Sequence, residues 1–327
     1  MDLQRRSAAQ EDRRLSPTDL PVLFCSASFP RSRALLREKL AGTPLRVVDV
    51  DPARPLEEQV GEMAALIPSM ARITASVIAA APWLKAIVQF GAGLDGVDRA
   101  AADARGIAVR NVPGANAQSV AELAAFLMLG LARRLPVHAR TRAARLVGDP
   151  PGTELAGKTL GIVGLGATGR ALARVARGFG MEVIAVRRTP ASDPDASWVG
   201  GASELDTLLA RADYVSLHVP ASSETRGLID AGRLAQMKPT AYLVNVGRGE
   251  LVDKGALLDA LRERRIAGAG LDVYWDEPPD PDDEIFRLDT VVATPHVGGT
   301  TLEAMDRIAT RVAALLTELV STPSSAR

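Results

Sequence analysis

The sequence predicts an α/β protein built on parallel sheets. Three observations carry that prediction. Short apolar runs recur between helical patterns along the 327-residue chain. The runs are continuous rather than alternating, as strands buried on both faces require. One glycine-rich turn, Gly164-x-Gly166-x-x-Gly169, stands directly between such a run and a helix. A chain of this length accommodates two domains, and 47% apolar residues suffice to fill their cores.

In order along the chain, residues 1–20 mix both charge signs and lack the apolar segment of an export signal, so a disordered extension is expected there. Strand-like runs follow: PVLFCSA, LRVVDV, LKAIVQF, TLGIVGLG, EVIAV, YVSLHV, AYLVNV, GAGLDV and VVATPH. Cys25, the single cysteine, lies in the first run; it cannot form an intrachain disulfide, suits a reducing compartment and is expected in the core. The apolar stretch LAAFLMLGLA is too short to span a bilayer and is flanked by arginines. Between Gly166 and Gly180, Leu172, Val175, Ala176 and Phe179 fall at helical spacing, and Gly180 supplies a stop. The stretches ARLVGDPPGTELAGK and DEPPDPDDEIF are turn-rich and polar. Near the C terminus Thr300-x-x-Glu303 is spaced as a capping box, and Leu302, Met305, Ile308, Ala309, Val312 and Leu316 form a stripe expected to pack in a core. Formal net charge is zero and the basic residues form no single block, which argues against nucleic acid or an anionic membrane as partner. A soluble, cytoplasmic protein with a small-molecule ligand and no metal is expected.

The glycine turn gives the first chemistry. Its glycines suit a tight turn, close approach of a pyrophosphate and close packing of helix on strand, while the helix N-terminus offers N–H groups and partial positive charge to phosphate. The spacing alone also fits a turn with no ligand; the strand before it, the helix after it and a second strand ending near Val186 favour a dinucleotide. An enzyme using NAD keeps an acid at the end of that second strand to hold the ribose hydroxyls. Here Arg187 stands in that place, followed by Arg188 and Thr189. Guanidinium groups match the oxygens and charge of a 2′-phosphate, so NADP(H) is the preferred cofactor and NAD(H) the second choice. The alternative is a pair of solvated charges at a strand end.

Seven stretches, QFGAGLDGVD, NVPGANAQSVAE, GLGATG, ADYVSLHVPASSETRGLI, NVGRGELVD, GLDVYWDEP and TPHVGGTT, run in order from about Trp83 to Thr301. Together they resemble the D-isomer-specific 2-hydroxyacid dehydrogenases, which include glyoxylate/hydroxypyruvate reductases and phosphoglycerate dehydrogenases. The resemblance implies two Rossmann-like or flavodoxin-like parallel-sheet domains with the active site in the cleft between them. The substrate domain would be 21–112 plus 297–327, and the cofactor domain 113–296. It also implies roles. His296 aligns with the catalytic acid/base, Glu277 with the carboxylate that hydrogen-bonds it, and Arg248 with the arginine that binds substrate carboxylate and carbonyl oxygen. Ser69, Ala92 and Gly93 fall at substrate-binding positions. Gly164, Leu165, Gly166, Ala167, Thr168, Gly169, Arg187, Arg188, Thr189, His218, Val219, Pro220, Thr225, Val246, Gly247, Arg248, Asp272 and His296 fall at cofactor-binding ones, with Asp272 expected against the nicotinamide carboxamide. His138, among arginines, is expected on the surface.

These residue types suit reduction of a keto acid. Histidine titrates near neutrality and a neighbouring carboxylate favours its charged form, so His296 could protonate the nascent alkoxide as hydride reaches the keto carbon. The Arg248 fork suits two acceptors at once. Pro68-Ser69 stands where the family often has Arg-Ser, which removes a cation useful for phosphoglycerate, although Arg72 follows nearby. The segment from Arg140 to Gly152 also lacks the tryptophan often found before GKTLGIVG, and no added regulatory domain is expected after the last helix. The expected activity is transfer of hydride from NADPH, or NADH, to a small 2-keto acid such as glyoxylate or hydroxypyruvate, giving the D-2-hydroxy acid. The alternatives are a dinucleotide-sensing regulatory protein on the same fold and a dehydrogenase for a specialised-pathway 2-hydroxy acid. The resemblance and the apolar helix VAELAAFLMLGLA suggest a homodimer.

Overall fold

The computed structural model describes residue 16 and residues 18–321. Most of the expected N-terminal extension lies outside the described residues, but its last residue, Leu20, already opens the first strand. Contacts divide the chain into two units: one runs to Ala115 and resumes at Leu302, the other is Asn116–Thr301. The divisions fall a few residues beyond the positions 112/113 and 296/297 read from the sequence.

The first unit carries β1 (Leu20–Phe24), β2 (Leu45–Asp49), β3 (Ala65–Ile67), β4 (Ala86–Val88) and β5 (Ala108–Arg110) in one parallel sheet of order β2-β1-β3-β4-β5. Successive side chains of β1 and of Cys25, which follows it, feed different cores. Val22 and Phe24 join Leu36 of helix α1 (Pro30–Lys39) and Ile308, Val312 and Leu316 of the C-terminal helix; Leu23 and Cys25 join Ile73, Ile78 and Ile107. Both faces are therefore covered, which is why the strands read as continuous apolar runs. Cys25 is buried at 5% exposure, and burial pushes its thiol up to about 12, so it stays protonated. The C-terminal helix spans Leu302–Ser321. It begins one residue later than a cap at Thr300 requires, and the Thr300 hydroxyl donates to the Val297 carbonyl at 2.7 Å instead. Leu302 is 65% exposed and leaves the stripe; Ala304, absent from the sequence reading, is fully buried.

The second unit is a seven-stranded parallel sheet of order β12-β11-β10-β9-β6-β7-β8. Its members are β6 (Thr159–Val163), β7 (Glu182–Val186), β8 (Trp198–Gly200), β9 (Tyr214–Leu217), β10 (Tyr242–Asn245), β11 (Gly268–Leu271) and β12 (Val291–Ala293). The order reverses at β6, which pairs with both β7 and β9. Such a reversal opens a crevice at the carboxyl ends of the strands, where ligands of this architecture bind. The helix after β6, Ala167–Gly178, buries Leu172 and Ala176, but Phe179 sits past its end, 38% exposed, rather than in the core. The helix Ala117–Ala132 packs on the same side, burying Leu127, Met128 and Leu131. Three strands, β3, β5 and β8, were not among the runs read from the sequence; each has three residues, as do β4 and β12, which were read as parts of the runs LKAIVQF and VVATPH. Among the described residues no helix is long and apolar enough to cross a membrane, and no group of three histidine, cysteine, aspartate or glutamate side chains could hold a metal ion.

Candidate active site

The β6 turn is built for close approach. Gly164 adopts φ +101°, and a Cβ there would meet the His218 carbonyl and Val219 within 3 Å; a Cβ on Gly169 would fall 2.4 Å from the Gly164 oxygen. By contrast, a Cβ on Gly166 would enter open space. Gly166 caps the helix Ala167–Gly178 without a side chain, so the N–H groups of the first turn have no side-chain acceptor. Ala167 is exposed and Thr168 half-buried beside them, whereas Leu165 is buried beneath the turn. This is a surface that fits a pyrophosphate.

Around the turn stand the other predicted cofactor residues. Arg187, half-buried, follows β7 and donates its backbone N–H to the Gly200 oxygen at 3.1 Å; Arg188 and Thr189 are exposed. His218 follows β9, its Nε2 2.8 Å from the hydroxyl of the fully buried Ser216. Val219 and Pro220 continue the loop, which Thr225 closes by donating its hydroxyl to the Pro220 oxygen at 2.7 Å. The Thr225 hydroxyl is thus committed to shaping the loop. Burial pushes His218 down to about 4, so it is neutral at neutral pH and serves as a hydrogen-bonding group rather than a charge.

The catalytic candidates emerge from the next three strands. At the end of β10, the buried Asn245 folds the turn: its Nδ2 donates to the Arg248 oxygen at 2.7 Å and its Oδ1 accepts from Gly247 N–H at 3.1 Å. Val246 is buried, while Gly247 and Arg248 are half-buried, the latter donating Nη1 to the Gly247 oxygen at 2.8 Å. Next to it, a Cβ on Gly249 would fall 2.1 Å from the Tyr274 carbonyl, so only glycine lets this loop lie against the loop after β11.

Glu277 and His296 meet from the loops after β11 and β12. Glu277 Oε2 lies 2.6 Å from His296 Nδ1, and Oε1 accepts the Tyr274 N–H at 3.1 Å. The two side chains retain 22% and 32% exposure, leaving the pair reachable. Burial would raise the Glu277 carboxyl, but the His296 hydrogen bond and charge, the Tyr274 amide and the Arg248 charge together hold it below the usual carboxylate range. His296 lies three residues beyond β12, not at its end, with φ 53°, a left-handed conformation rare outside glycine.

Asp272 accounts for that conformation. Only 2% exposed, it accepts the Thr294 hydroxyl at 2.7 Å and the Val297 and Gly298 N–H groups at 2.8 Å, on both sides of His296. Tyr274 adds its hydroxyl to the Thr294 oxygen at 2.6 Å, and Ser119 donates to the Gly298 oxygen at 2.7 Å. Three of Asp272's acceptor sites are thus spent on the histidine loop. Asn245, Thr294 and Tyr274 were missed in the sequence; a buried polar residue at the end of an apolar strand was the available signal for Asn245.

Ser69, Ala92 and Gly93 belong to the first unit, on the loops after β3 and β4. Gln89, also unread in the sequence, ties those loops: its Nε2 donates to the Ser69 oxygen at 3.0 Å and its Oε1 accepts Phe90 N–H at 3.1 Å. Asn111 holds the Ala92 oxygen through its side-chain amide. His138 is exposed on the helix Leu135–Ala143, as expected.

Residues 125–298 match the model of the D-isomer specific 2-hydroxyacid dehydrogenase NAD binding domain. A glyoxylate reductase of Thermococcus litoralis is 40% identical over 306 residues, covering 90% of this chain and 92% of the relative. A D-3-phosphoglycerate dehydrogenase of Mycobacterium leprae is 41% identical over 299 residues, but this chain spans 56% of its length. The crystal structure of the NADPH-dependent glyoxylate/hydroxypyruvate reductase of Sinorhizobium meliloti, in complex with NADP and malonate, superposes with a TM-score of 0.80 at 29% identity, covering 91% of this chain and 93% of that one.

The depressed His218 makes a pH prediction. In the unfolded chain a histidine takes up its proton near 6.5, in the folded protein His218 does so only near 4. Between those values the unfolded chain binds more protons, so stability falls as pH falls through that window. The fall in Tm from pH 7 to pH 4, followed by calorimetry, is expected to be shallower in His218→Gln than in the unsubstituted protein; equal slopes would show that His218 is not held neutral by the fold.

Proposed function

The chain belongs to the D-isomer specific 2-hydroxyacid dehydrogenase family, whose members are nicotinamide-dependent oxidoreductases, and we propose that it reduces a small 2-keto acid, glyoxylate or hydroxypyruvate, to the D-2-hydroxy acid with NADPH preferred over NADH. The observation that carries the reading is the Glu277–His296 pair at 2.6 Å with the Arg248 charge beside it. When bound, the nicotinamide supplies the hydride. The protein's own groups do the rest. Glu277 fixes the imidazole through Nδ1, leaving Nε2 to give a proton to the substrate oxygen. Arg248 offers a planar fork to the substrate carboxylate and carbonyl oxygen, stabilising charge as it develops there. Ser69, Ala92 and Gly93 are assigned to substrate binding. The turn from Gly164 to Gly169 takes the pyrophosphate, with His218, Val219, Pro220, Thr225, Val246, Gly247 and Asp272 as the remaining cofactor residues.

NADPH is preferred because Arg187 and Arg188 occupy the place of the ribose-binding acid and make no ion pair or side-chain hydrogen bond among the described residues. Glyoxylate and hydroxypyruvate are favoured over a phosphorylated acid because Pro68 offers no cation before Ser69. A pure dinucleotide sensor has no use for a preformed acid pair. The apolar side chains Phe126, Leu129, Leu135, Leu146 and Val147, between 37% and 96% exposed, support a homodimer through this part of the second unit. Multi-angle light scattering is expected to give twice the chain mass, and a monomer at micromolar concentration would refute the dimer.

Steady-state kinetics test the activity. The ratio kcat/KM is expected to be higher with NADPH than NADH, and higher for glyoxylate or hydroxypyruvate than for 3-phosphohydroxypyruvate. His296→Ala is expected to lower kcat about 10²–10⁴-fold, the range of general acid catalysis. Arg248→Ala should raise KM as well as lower kcat. Near-normal turnover in His296→Ala would remove the histidine from the mechanism, and tight NADPH binding without turnover on any acid would favour the sensor.

A further inference from the structure

The residues that follow β7 contain more charge chemistry than the arginine pair. The helix Ala167–Gly178 presents Arg170, Arg174 and Arg177 on one face, at spacings of four and three. All three reach the loop after Thr189. Arg170 Nε lies 2.7 Å from Asp193 Oδ2; Arg174 and Arg177 approach the Asp195 carboxylate at 3.4 and 3.3 Å, and Arg177 also donates to the Pro194 oxygen at 2.8 Å. Asp193 differs from Asp195 in being buried, at 8% exposure, with its second oxygen on the Asp195 N–H at 3.1 Å. The Arg170 hydrogen bond holds this carboxyl below its ordinary value against the cost of burial, and the charges of Arg170 and Arg187 both act on it. Asp193 is thus a buried anion bonded to Arg170 and acted on by the charge of Arg187.

We propose that Arg170 is a specificity-determining residue: by engaging the Asp193 carboxylate it keeps that carboxylate from Arg187, leaving Arg187 for the 2′-phosphate of the cofactor. The inference rests on the NADPH reading. A buried carboxylate that loses its cation is strongly destabilising and recruits the next one within reach. For a guanidinium, carboxylate and phosphate are alternative two-oxygen acceptors. With Arg170 gone, Asp193 stands in for the phosphate and restores an acid to the ribose end of the site, the arrangement that suits NAD. Arg170 and Asp193 need not touch the cofactor for this; they set which partner Arg187 has.

Dissociation constants of NADPH and NADH, measured by fluorescence titration, test it. Arg170→Met keeps the aliphatic stem and removes the charge; it is expected to weaken NADPH about tenfold or more, the worth of a charge-assisted hydrogen bond, and to leave NADH within about twofold. Arg170→Gln is expected to behave the same way, and Arg170→Lys to keep the original ratio. Adding Asp193→Asn to Arg170→Met should restore most of the NADPH affinity. In an Arg187→Ala background, Arg170→Met should leave the ratio unchanged, because there is no guanidinium left to capture. Equal weakening of both cofactors would mark Arg170 as merely structural, and a loss of NADPH affinity that persists without Arg187 would mark a general field effect; either overturns the inference. If the unsubstituted protein binds NADH as tightly as NADPH, the cofactor reading itself falls and takes the inference with it. If that protein discriminates but Arg170→Met does not change the ratio, only the inference falls.

Discussion

A carboxylate and an imidazole held 2.6 Å apart on two different loops is the constraint to which the second unit is fitted. Neither Glu277 nor His296 lies in a strand or helix, so both depend on what anchors their loops. The parallel sheet supplies the first anchor. Strands β10, β11 and β12 are neighbours, and because they run the same way their carboxyl ends lie on one edge. Arg248, Asp272, Glu277, Thr294 and His296 all follow those ends. A parallel sheet thus brings together residues far apart in sequence without any of them needing to be in regular structure.

The second anchor is polar and buried. Asp272 spends three acceptor sites on Thr294, Val297 and Gly298, which bracket His296 and offset the strain of its left-handed backbone. Burying that carboxylate is itself unfavourable and raises its pKa, although the hydrogen bonds oppose the rise. The arrangement is consistent only if all members are present: Tyr274 serves both sides, its N–H holding Glu277 and its hydroxyl holding the Thr294 oxygen. The same economy recurs after β7, where Asp193 and Asp195 hold the arginines of the helix Ala167–Gly178, and among the described residues neither Arg187 nor Arg188 makes an ion pair, although the Arg187 charge still acts on Asp193.

The sequence made the fold class legible because nine of the strands are long or apolar enough to be read as runs. It did not show β3, β5 and β8, three-residue strands identified by their pairing with a neighbour; β4 and β12 are as short but were read as parts of the runs LKAIVQF and VVATPH. The glycine turn was readable to the residue, since Gly164 and Gly169 are the positions where the packing excludes a Cβ. Arg248, Glu277 and His296 were legible through ordered motifs, not through periodicity. What escaped was the support: Asn245, Tyr274, Thr294 and Gln89 act through hydrogen bonds to backbone atoms of loops, and no spacing in a single sequence announces such partners. Leu302 and Phe179 mark the opposite error, apolar residues in phase with a helix but located at its ends, where the stripe faces solvent.

The account makes Glu277 responsible for holding the His296 ring in one orientation, through the hydrogen bond to Nδ1, and turnover tests that most directly. The measurement is kcat for 2-keto acid reduction at saturating NADPH in the unsubstituted protein, in Glu277→Ala, which removes the acceptor, and in Glu277→Gln, whose amide oxygen can still accept from Nδ1. Glu277→Ala is expected to lower kcat about tenfold or more, with Glu277→Gln falling between it and the unsubstituted protein. A kcat in Glu277→Ala equal to that of the unsubstituted protein would contradict the claim that this carboxylate positions the histidine.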